Sequence, residues 1–217
     1  MLSIIVCTFN HAKFLSKCID SILAQNSKDF ELIVVDDAST DNTQEVLSKY
    51  SNIKIIKNKV NLNLMLSRKV GFDNSIGENI LFVDADDYFP NNKVIENYLK
   101  YSDFDIAQSF IESNKIGQKT VINNSVLNTE TIDDINCSFL WNKMFKRWVL
   151  EETYKIINLE DRFMYEDGII IENSKKIAKT YHTVPHSCYY YNTNTGYSHN
   201  IQLFKSIGGR LWTKLLS

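Results

Sequence analysis

The sequence predicts an α/β fold with a mostly parallel central sheet flanked by helices, on the strength of two observations. In the first half, short apolar runs rich in β-branched residues alternate with segments of helical periodicity. These apolar runs lack the polar alternation of a half-exposed strand, so we expect both faces of each strand to be buried by helices.

The elements of the first half follow in order. "SIIVCTF" is the first strand, and the segment after it has apolar residues at helical spacing. "FELIVV" (30–35) and "IKII" (53–56) are the next two strands, and between them "STDNTQEVLSKY" carries capping residues followed by helix formers. A helix around 64–74 and the strand "NILFV" complete the series. The residues that share the buried face of the first helix are Phe14, Leu15, Cys18, Ile19, Ile22 and Leu23.

The second half is less regular. We expect two or three strands between Asp103 and Val126, and a short helix over "FLWNKMFKR" (139–147). A further helix is expected to begin near Asp167, followed by a strand through "HSCYYYN". The terminal segment 201–217 has an amphipathic pattern that two glycines interrupt.

Composition excludes several classes of protein. The net charge of −2 with mixed signs offers no basic face for duplex nucleic acid, so no nucleic-acid partner is expected. No apolar run approaches the roughly 18 residues that span a bilayer, and the sequence starts in a strand pattern, which together predict a cytoplasmic protein. The four cysteines form no CxxC pair, so we expect reduced thiols and neither a disulfide framework nor a zinc site.

Carboxylates follow two of the predicted strands, in "VVDDAST" and "FVDADDY". Ligands of parallel α/β sheets bind beyond the carboxyl ends of the strands, which is where both clusters fall. In an extended strand end, Asp84 and Asp86 would project to one side with Cα atoms about 7 Å apart, and oxygen ligands favour Mg²⁺ or Mn²⁺ over zinc. The alternative, that these aspartates only form a turn and cap the next helix, stays open on spacing alone.

Several motifs occur along the chain in one order: the strand with "TFN", then "VVDDASTDNT", "NLNLMLSRKVG", the "DAD" form of a DxD motif, and "YEDG". This order resembles the inverting glycosyltransferases of family 2 over essentially the whole chain, and "SCYYYNTNTGYSHN" resembles a tyrosine-rich segment of bacterial surface-polysaccharide members. The resemblance implies the GT-A fold. It also implies a single domain over 1–217, with a nucleotide-sugar-binding half (1–101) and an acceptor-binding half (102–217).

The resemblance implies a donor site at the end of the first strand. Asp37 would hydrogen-bond the nucleotide base, Phe9 would lie beside the base, and Cys7 and Thr8 would line the pocket. An aromatic ring offers a stacking face and a carboxylate accepts from the imide N–H of uracil, so the donor is expected to be a UDP-sugar.

The resemblance also implies a cation at the DxD motif, Mn²⁺ or Mg²⁺. Asp86 would be the main metal ligand, Asp84 would approach the ribose or a metal-bound water, and Asp87 would support both. Arg68 matches the arginine of the family's "ARNxG" segment and would face the nucleotide or the diphosphate. The alternative is that Arg68 is a plain surface residue.

This segment departs from the family pattern at three positions. Asn63 stands for a usual glycine, Ser67 for an alanine and Lys69 for an asparagine. The donor preference around the sugar is therefore left open.

"YEDG" resembles the family's ED motif, which makes Asp167 the base that deprotonates the acceptor hydroxyl. Glu166 would contact the acceptor or orient the loop. Inversion needs one in-line displacement, for which a single positioned carboxylate suffices. The alternative is that both acids only favour the positive end of the helix that follows them.

The acceptor is expected to be a saccharide or a lipid-linked saccharide. Trp141 with Asn142 and Lys143 could form an acceptor wall, since an indole face suits a sugar ring; core packing of Trp141 is the alternative. Segment 201–217 either packs on the domain or makes peripheral contact with a membrane at its inner face. No QxxRW signature of processive synthases is present, so transfer of one sugar is expected.

Two further functions compete with this interpretation. "DADDY" superficially resembles the nucleophile motif of HAD-like phosphatases, although that motif normally follows the first strand and this one follows the fourth. A non-catalytic nucleotide-binding GT-A domain is the second, and intact Asp86 and Asp167 oppose it. A nicotinamide dehydrogenase is disfavoured because no GxGxxG follows the first strand.

Overall fold

Residues 1–115, 118–122, 139–158 and 166–192 are described by the structure, a computed structural model of the 217-residue chain. The strands are β1 (Leu2–Thr8), β2 (Phe30–Asp36), β3 (Lys54–Lys57), β4 (Asn79–Asp84), β5 (Ile106–Lys115), β6 (Gln118–Ile122), β7 (Lys143–Lys146) and β8 (Tyr181–Tyr191). The helices are α1 (Ala12–Leu23), α2 (Thr43–Leu47), α3 (Leu64–Asp73), α4 (Val94–Leu99), α5 (Arg147–Ile156) and α6 (Glu166–Ile177).

β1 lies in the middle of the parallel part of the sheet, and all seven of its residues are buried. It pairs in parallel with β2 on one side and β4 on the other, and β3 extends the sheet beyond β2. Ile4 and Val6 lie in the core that α1 covers, whereas Ile5 and Cys7 lie in the core under α3. A continuous apolar run is what a strand between two helical layers requires. The predicted α/β class and the strands of the first half are confirmed.

The sheet brings the ends of three strands to one rim. The strand order is β3-β2-β1-β4-β7-β5-β6 in the described residues, with β8 on the other edge of β5. Thr8 pairs with Asp36, and Cys7 pairs with Asp84, so β1, β2 and β4 end side by side. Both acidic clusters of the sequence therefore follow strands at the same edge, as predicted.

The helix predicted over 139–147 is wrong. The chain instead forms β7 there, antiparallel between β4 and β5, and α5 begins only at Arg147. Met144 lies in one core and Phe145 in the other, which is the two-residue period of a strand buried on both faces. Pairing with β4 and β5 outweighs the local helix propensity of this short stretch.

The other second-half predictions are confirmed where the residues are described. β5 and β6 fall between 103 and 126, α6 begins at Glu166, and β8 contains the tyrosine run. The amphipathic segment 201–217 lies outside the described residues, so its helix, its packing and any membrane contact stay predictions. Within the described part of the chain, no helix is both long and apolar enough to cross a bilayer.

Gly71 lets α3 approach the sheet closely. A Cβ at this position would lie 2.4 Å from Ile5 Cγ2 and 3.2 Å from Val35 Cγ2. Both neighbours are stiff, β-branched core residues, so the helix or the strands would have to move. We expect Gly71→Ala to lower the free energy of unfolding by about 1–2 kcal/mol, because overpacking of about 1–3 kcal/mol exceeds the gain in helix propensity of about 1 kcal/mol.

Urea unfolding measures this effect, and Lys69→Ala on the partly exposed side of the same helix is the matched control. A Gly71→Ala protein as stable as the wild type would show that α3 can shift without cost.

Candidate active site

The aspartate turn is the segment Asp84–Asp87 at the end of β4. Asp84 is the last residue of the strand, and the Asp87 N–H donates to the Asp84 carbonyl at 3.1 Å, which closes a turn through Asp86. The extended geometry assumed from the sequence for Asp84 and Asp86 is therefore wrong, because the chain has left the strand before Asp86. Among the described residues, no group of three or more His, Cys, Asp or Glu side chains is arranged to hold a metal ion.

Arg68 joins the aspartate turn to the start of α6. Its side chain is only 2% exposed. Nη2 donates to Asp84 Oδ1 at 2.9 Å, and Nη1 donates to Asp167 Oδ1. The alternative of a plain surface residue is thus wrong: α3 delivers a buried guanidinium between two carboxylates that are far apart in sequence.

The charges around Arg68 shift several pKa values. Burial raises the pKa of Asp84 to about 6 against the opposing effect of Arg68, and the charges of Asp167 and Asp86 add to the increase. Burial opposes the charged form of Arg68, yet Asp167 and Asp84 hold its pKa above the ordinary value. The site thus concentrates carboxylates around one buried cation, which is typical of functional sites.

Asp167 is held from two directions. Besides the Arg68 contact, its Oδ2 accepts from the Leu140 N–H at 3.0 Å. Glu166 beside it is partly buried, and burial raises its pKa although Arg68 acts in the opposite direction. Both acids lie in the first turn of α6, as the helix-terminus alternative requires. That alternative does not account for the contacts of Asp167 with Arg68 and Leu140.

The residues predicted for the nucleotide lie where β1 and β2 end. Phe9 is 42% exposed, directly after the buried Cys7 and Thr8. Thr8 Oγ1 is buried and has no hydrogen-bond partner among the described residues. Asp37 is buried, and its Oδ1 accepts from Asn58 Nδ2 and the Leu62 N–H, both at 2.8 Å. Its predicted contact with a base stays a prediction.

Two of the three departures from the family segment, Asn63 and Ser67, have structural reasons. Asn63 has φ of 81°, a left-handed conformation that glycine adopts without strain and asparagine tolerates. Its side chain also caps α3, accepting from the Leu66 N–H at 3.1 Å. Ser67 Oγ accepts from Asn58 Nδ2 at 3.0 Å, which links α3 to the Asp37 carboxylate through Asn58. These substitutions therefore add hydrogen bonds around the loop before α3.

The predicted acceptor residues lie in the interior. Trp141 is 3% exposed, and both Asn142 and Lys143 are 0% exposed. Asn142 donates to the Ser109 carbonyl at 3.0 Å, and Lys143 Nζ donates to Asn142 Oδ1 at 2.8 Å. This burial favours the packing alternative for Trp141, and an acceptor could reach the three side chains only if the surrounding chain moved. Their acceptor role stays a prediction that the geometry does not support.

Two contacts at this site were missed in the sequence. The Leu140 backbone amide holds Asp167, and Tyr189, predicted only as a strand residue, contacts the aspartate turn. A backbone N–H donor cannot be identified from the sequence, because every residue except proline carries one. For Tyr189 a signal existed, since a buried tyrosine hydroxyl usually finds a partner, although nothing in the sequence indicates which.

Comparisons with known proteins agree with the motifs. The profile of the family described as glycosyl transferase family 2 matches residues 3–152. Glycosyltransferase GlyA of Streptococcus pneumoniae serotype 4 is 25% identical over 218 residues, an alignment that covers 90% of this chain and 31% of GlyA. This chain thus spans about a third of the length of that relative.

Solved structures share the fold. The crystal structure of S. aureus TarS 1–349 in complex with UDP-GlcNAc matches with a TM-score of 0.77 at 24% identity, over 90% of this chain and 59% of that one. Mannosyltransferase PcManGT from Pyrobaculum calidifontis, in complex with GDP-Man and Mn²⁺, matches with a TM-score of 0.66 at 17% identity, over 88% of this chain and 56% of that one.

The family match covers more than half of the chain and contains the aspartate turn and Arg68. The DxD motif follows β4, the fourth strand, whereas the HAD-like motif follows the first. The HAD-like phosphatase alternative is therefore without support. With the mixed, mostly parallel sheet and the shared architecture of the solved structures, the predicted GT-A fold is confirmed. The chain belongs to glycosyltransferase family 2.

Proposed function

We propose that this chain transfers one sugar, with inversion, from a UDP-sugar to a saccharide or lipid-linked saccharide acceptor in bacterial-type surface glycan synthesis. The observation that carries the proposal is the position of Arg68. One buried guanidinium holds Asp84 of the DxD motif and Asp167 of the ED motif at the same site. A donor diphosphate at the first carboxylate and an acceptor hydroxyl at the second would then meet across a short distance.

The donor pocket is proposed at the rim formed by β1, β2 and β4. The exposed ring of Phe9 offers a stacking face, and the unpartnered Thr8 Oγ1 offers a hydrogen bond that a nucleotide could take. Asp37 Oδ2 accepts from the Asn63 N–H at 3.1 Å, and a carboxylate oxygen has room for a second donor, such as a base N–H. UDP-GlcNAc bound to the similarly folded TarS supports a UDP-sugar as the first donor to test.

The aspartate turn fits a divalent cation in its donor chemistry. Asp84 and Asp86 supply carboxylate oxygens, and Mg²⁺ or Mn²⁺ typically takes one or two carboxylates together with substrate phosphates. Burial, against the opposing charge of Arg68, raises the pKa of Asp84, and a cation at this carboxylate would stabilise its charged form. When bound, such a cation would stabilise the charge that develops on the departing diphosphate.

Asp167 is the proposed general base. Its carboxylate accepts the acceptor hydroxyl proton while the acceptor oxygen bonds to the anomeric carbon and the bond to the nucleoside diphosphate breaks on the opposite side. Arg68 and the Leu140 N–H fix the orientation of the carboxylate before the substrates arrive. Glu166 directly precedes Asp167 and is partly exposed, and it is proposed to contact the acceptor.

Titration of UDP tests the donor site. We expect UDP to bind in the presence of Mn²⁺ and to lose at least about tenfold in affinity when EDTA removes the metal. Asp86→Ala should lose a similar factor, because the loss of a residue that supports a metal typically costs about 10–100-fold in metal affinity. Calorimetry measures the three affinities. Asp103→Ala, an exposed carboxylate away from the aspartate turn, is the matched control.

The result that would contradict the proposal is a wild-type protein that binds no UDP in any of these conditions. If UDP bound equally tightly with Mn²⁺, with EDTA and to Asp86→Ala, the proposed nucleotide site would stand. The metal role of the aspartate turn would then be excluded.

A further inference from the structure

Tyr189 connects β8 to the aspartate turn through its hydroxyl group. The side chain is fully buried. Its Oη accepts from the Asp84 N–H at 3.1 Å and donates to Asp87 Oδ2 at 2.7 Å. A single hydroxyl thus bonds to the first and the last residue of the turn, and it uses both its donor and one acceptor site to do so.

The neighbours of Tyr189 hold the same turn. The Asn192 N–H donates to Asp87 Oδ1 at 2.7 Å, and its side-chain amide donates to the Asp86 carbonyl at 3.3 Å. Tyr88 and Tyr190 form a backbone bridge with N–H to carbonyl distances of 3.3 and 2.9 Å. Asp87 is 1% exposed, so its carboxylate serves these contacts and not solvent. The end of β8 is therefore the support of the aspartate turn.

The ring of Tyr189 faces the other half of the site. It stacks on Trp141, with centroids 4.2 Å apart and an interplanar angle of 17°. Trp141 directly follows Leu140, whose N–H holds Asp167. A closed path of contacts thus runs from Asp84 through Arg68 to Asp167, and returns through the Leu140–Trp141 segment and Tyr189 to Asp84.

We propose that Tyr189 is a positioning residue. It fixes the conformation of the aspartate turn that would bind the donor diphosphate and its cation, and it fixes the position of that turn relative to Asp167. The inference rests on the proposed function and deepens it. The physical reason is that Asp84 is the last residue of β4 whereas Asp86 lies on the turn beyond it, so the ladder of β4 fixes only Asp84. Hydrogen bonds to Asp87 and to the Asp84 amide supply the missing constraint. Residues behind metal ligands commonly have this role.

Tyr189→Phe removes the hydroxyl and keeps the ring on Trp141. We expect the variant to fold, the Mn²⁺-dependent part of the UDP affinity to fall by at least about tenfold, and the UDP affinity in EDTA to stay unchanged. Hydrogen exchange followed by NMR should also show faster exchange of the Asp84 amide, because that donor has lost its acceptor. Neither readout needs turnover.

Tyr98→Phe is the matched control. Tyr98 is another fully buried tyrosine, and its hydroxyl donates to Ser109 Oγ at 2.8 Å, away from the turn. It should cost similar stability but leave both the Mn²⁺-dependent UDP affinity and the Asp84 exchange rate as in the wild type. If Tyr189 had only a structural role, Tyr189→Phe would keep the Mn²⁺-dependent UDP affinity as Tyr98→Phe does, even though its Asp84 amide exchanged faster.

Equal Mn²⁺-dependent UDP affinity in Tyr189→Phe and wild type would overturn this inference and leave the proposed function intact. A wild type without Mn²⁺-dependent UDP binding would overturn the metal role and this inference together. If Tyr189→Phe does not fold, Trp141→Phe provides the test, since it alters the stacking on Tyr189 without touching an aspartate. An unchanged Mn²⁺-dependent affinity in Trp141→Phe would then count against the inference.

Discussion

Replacing Arg68 with leucine is expected to lower the free energy of unfolding by about 3 kcal/mol, the lower end of the roughly 3–5 kcal/mol that loss of one partner of a buried ion pair costs. The variant leaves Asp84 and Asp167 facing each other without the cation between them. The lower end applies because the side chains of Asp84 and Asp167 are 28% and 19% exposed, so water can solvate part of the charge that has lost its partner. Urea unfolding measures the change.

Lys69→Ala is the matched control, because Lys69 is the next residue on α3 and its ion pair with Asp73 is at the surface. That pair is worth about 0.3–0.5 kcal/mol. Adding Asp167→Asn to Arg68→Leu should recover part of the loss, since the double variant no longer confines an unpaired carboxylate. An Arg68→Leu protein as stable as Lys69→Ala would mean that the two aspartates are solvated and that Arg68 does not hold the site.

Asp167→Asn is expected to reduce kcat by about 10²–10⁴-fold, the usual contribution of a positioned general base. The single amide oxygen of the asparagine can accept from the Leu140 N–H or from Arg68 Nη1 but not from both, and the side chain takes no proton. We expect the UDP affinity with Mn²⁺ to stay within a few-fold of the wild type, because the base acts on the acceptor. Turnover of a UDP-sugar and UDP calorimetry together separate the two effects.

Glu172→Gln is the control for this variant, since Glu172 is an exposed acid on the same helix, α6. Its kcat should match that of the wild type. Full activity in Asp167→Asn would assign the base to another residue, whereas loss of UDP binding together with kcat would indicate that Asp167 serves the donor site through Arg68.

The sequence predicted the parts of the site that depend on local pattern. Apolar runs of the β1 type specify strands buried on both faces, and parallel strands must end at one edge, so Asp37 and Asp84 could be assigned to a common rim. The helix beginning at Glu166 was also predictable, from its apolar spacing. Each of these features is decided by residues that are neighbours in the chain.

The errors come from contacts between distant residues. The stretch 139–147 has helix formers, but β4 and β5 recruit Lys143–Lys146 as a strand. Lys143 and Trp141, which looked suited to an acceptor, are buried, Lys143 within this strand and Trp141 in a stack with Tyr189 and Tyr191. Sequence spacing could not reveal this, because burial of a side chain depends on which elements pack over it.

The sequence by itself thus determined the family, the parallel half of the sheet and the rim on which the acidic motifs lie. Only the tertiary structure decided that Arg68 is buried between Asp84 and Asp167, 16 and 99 residues away, and that Tyr189 holds the aspartate turn. The physical reason is that propensity and hydrophobic periodicity act over a few residues. Pairing of buried charges and satisfaction of buried hydroxyl groups are decided by whichever partners the folded chain brings within hydrogen-bonding distance.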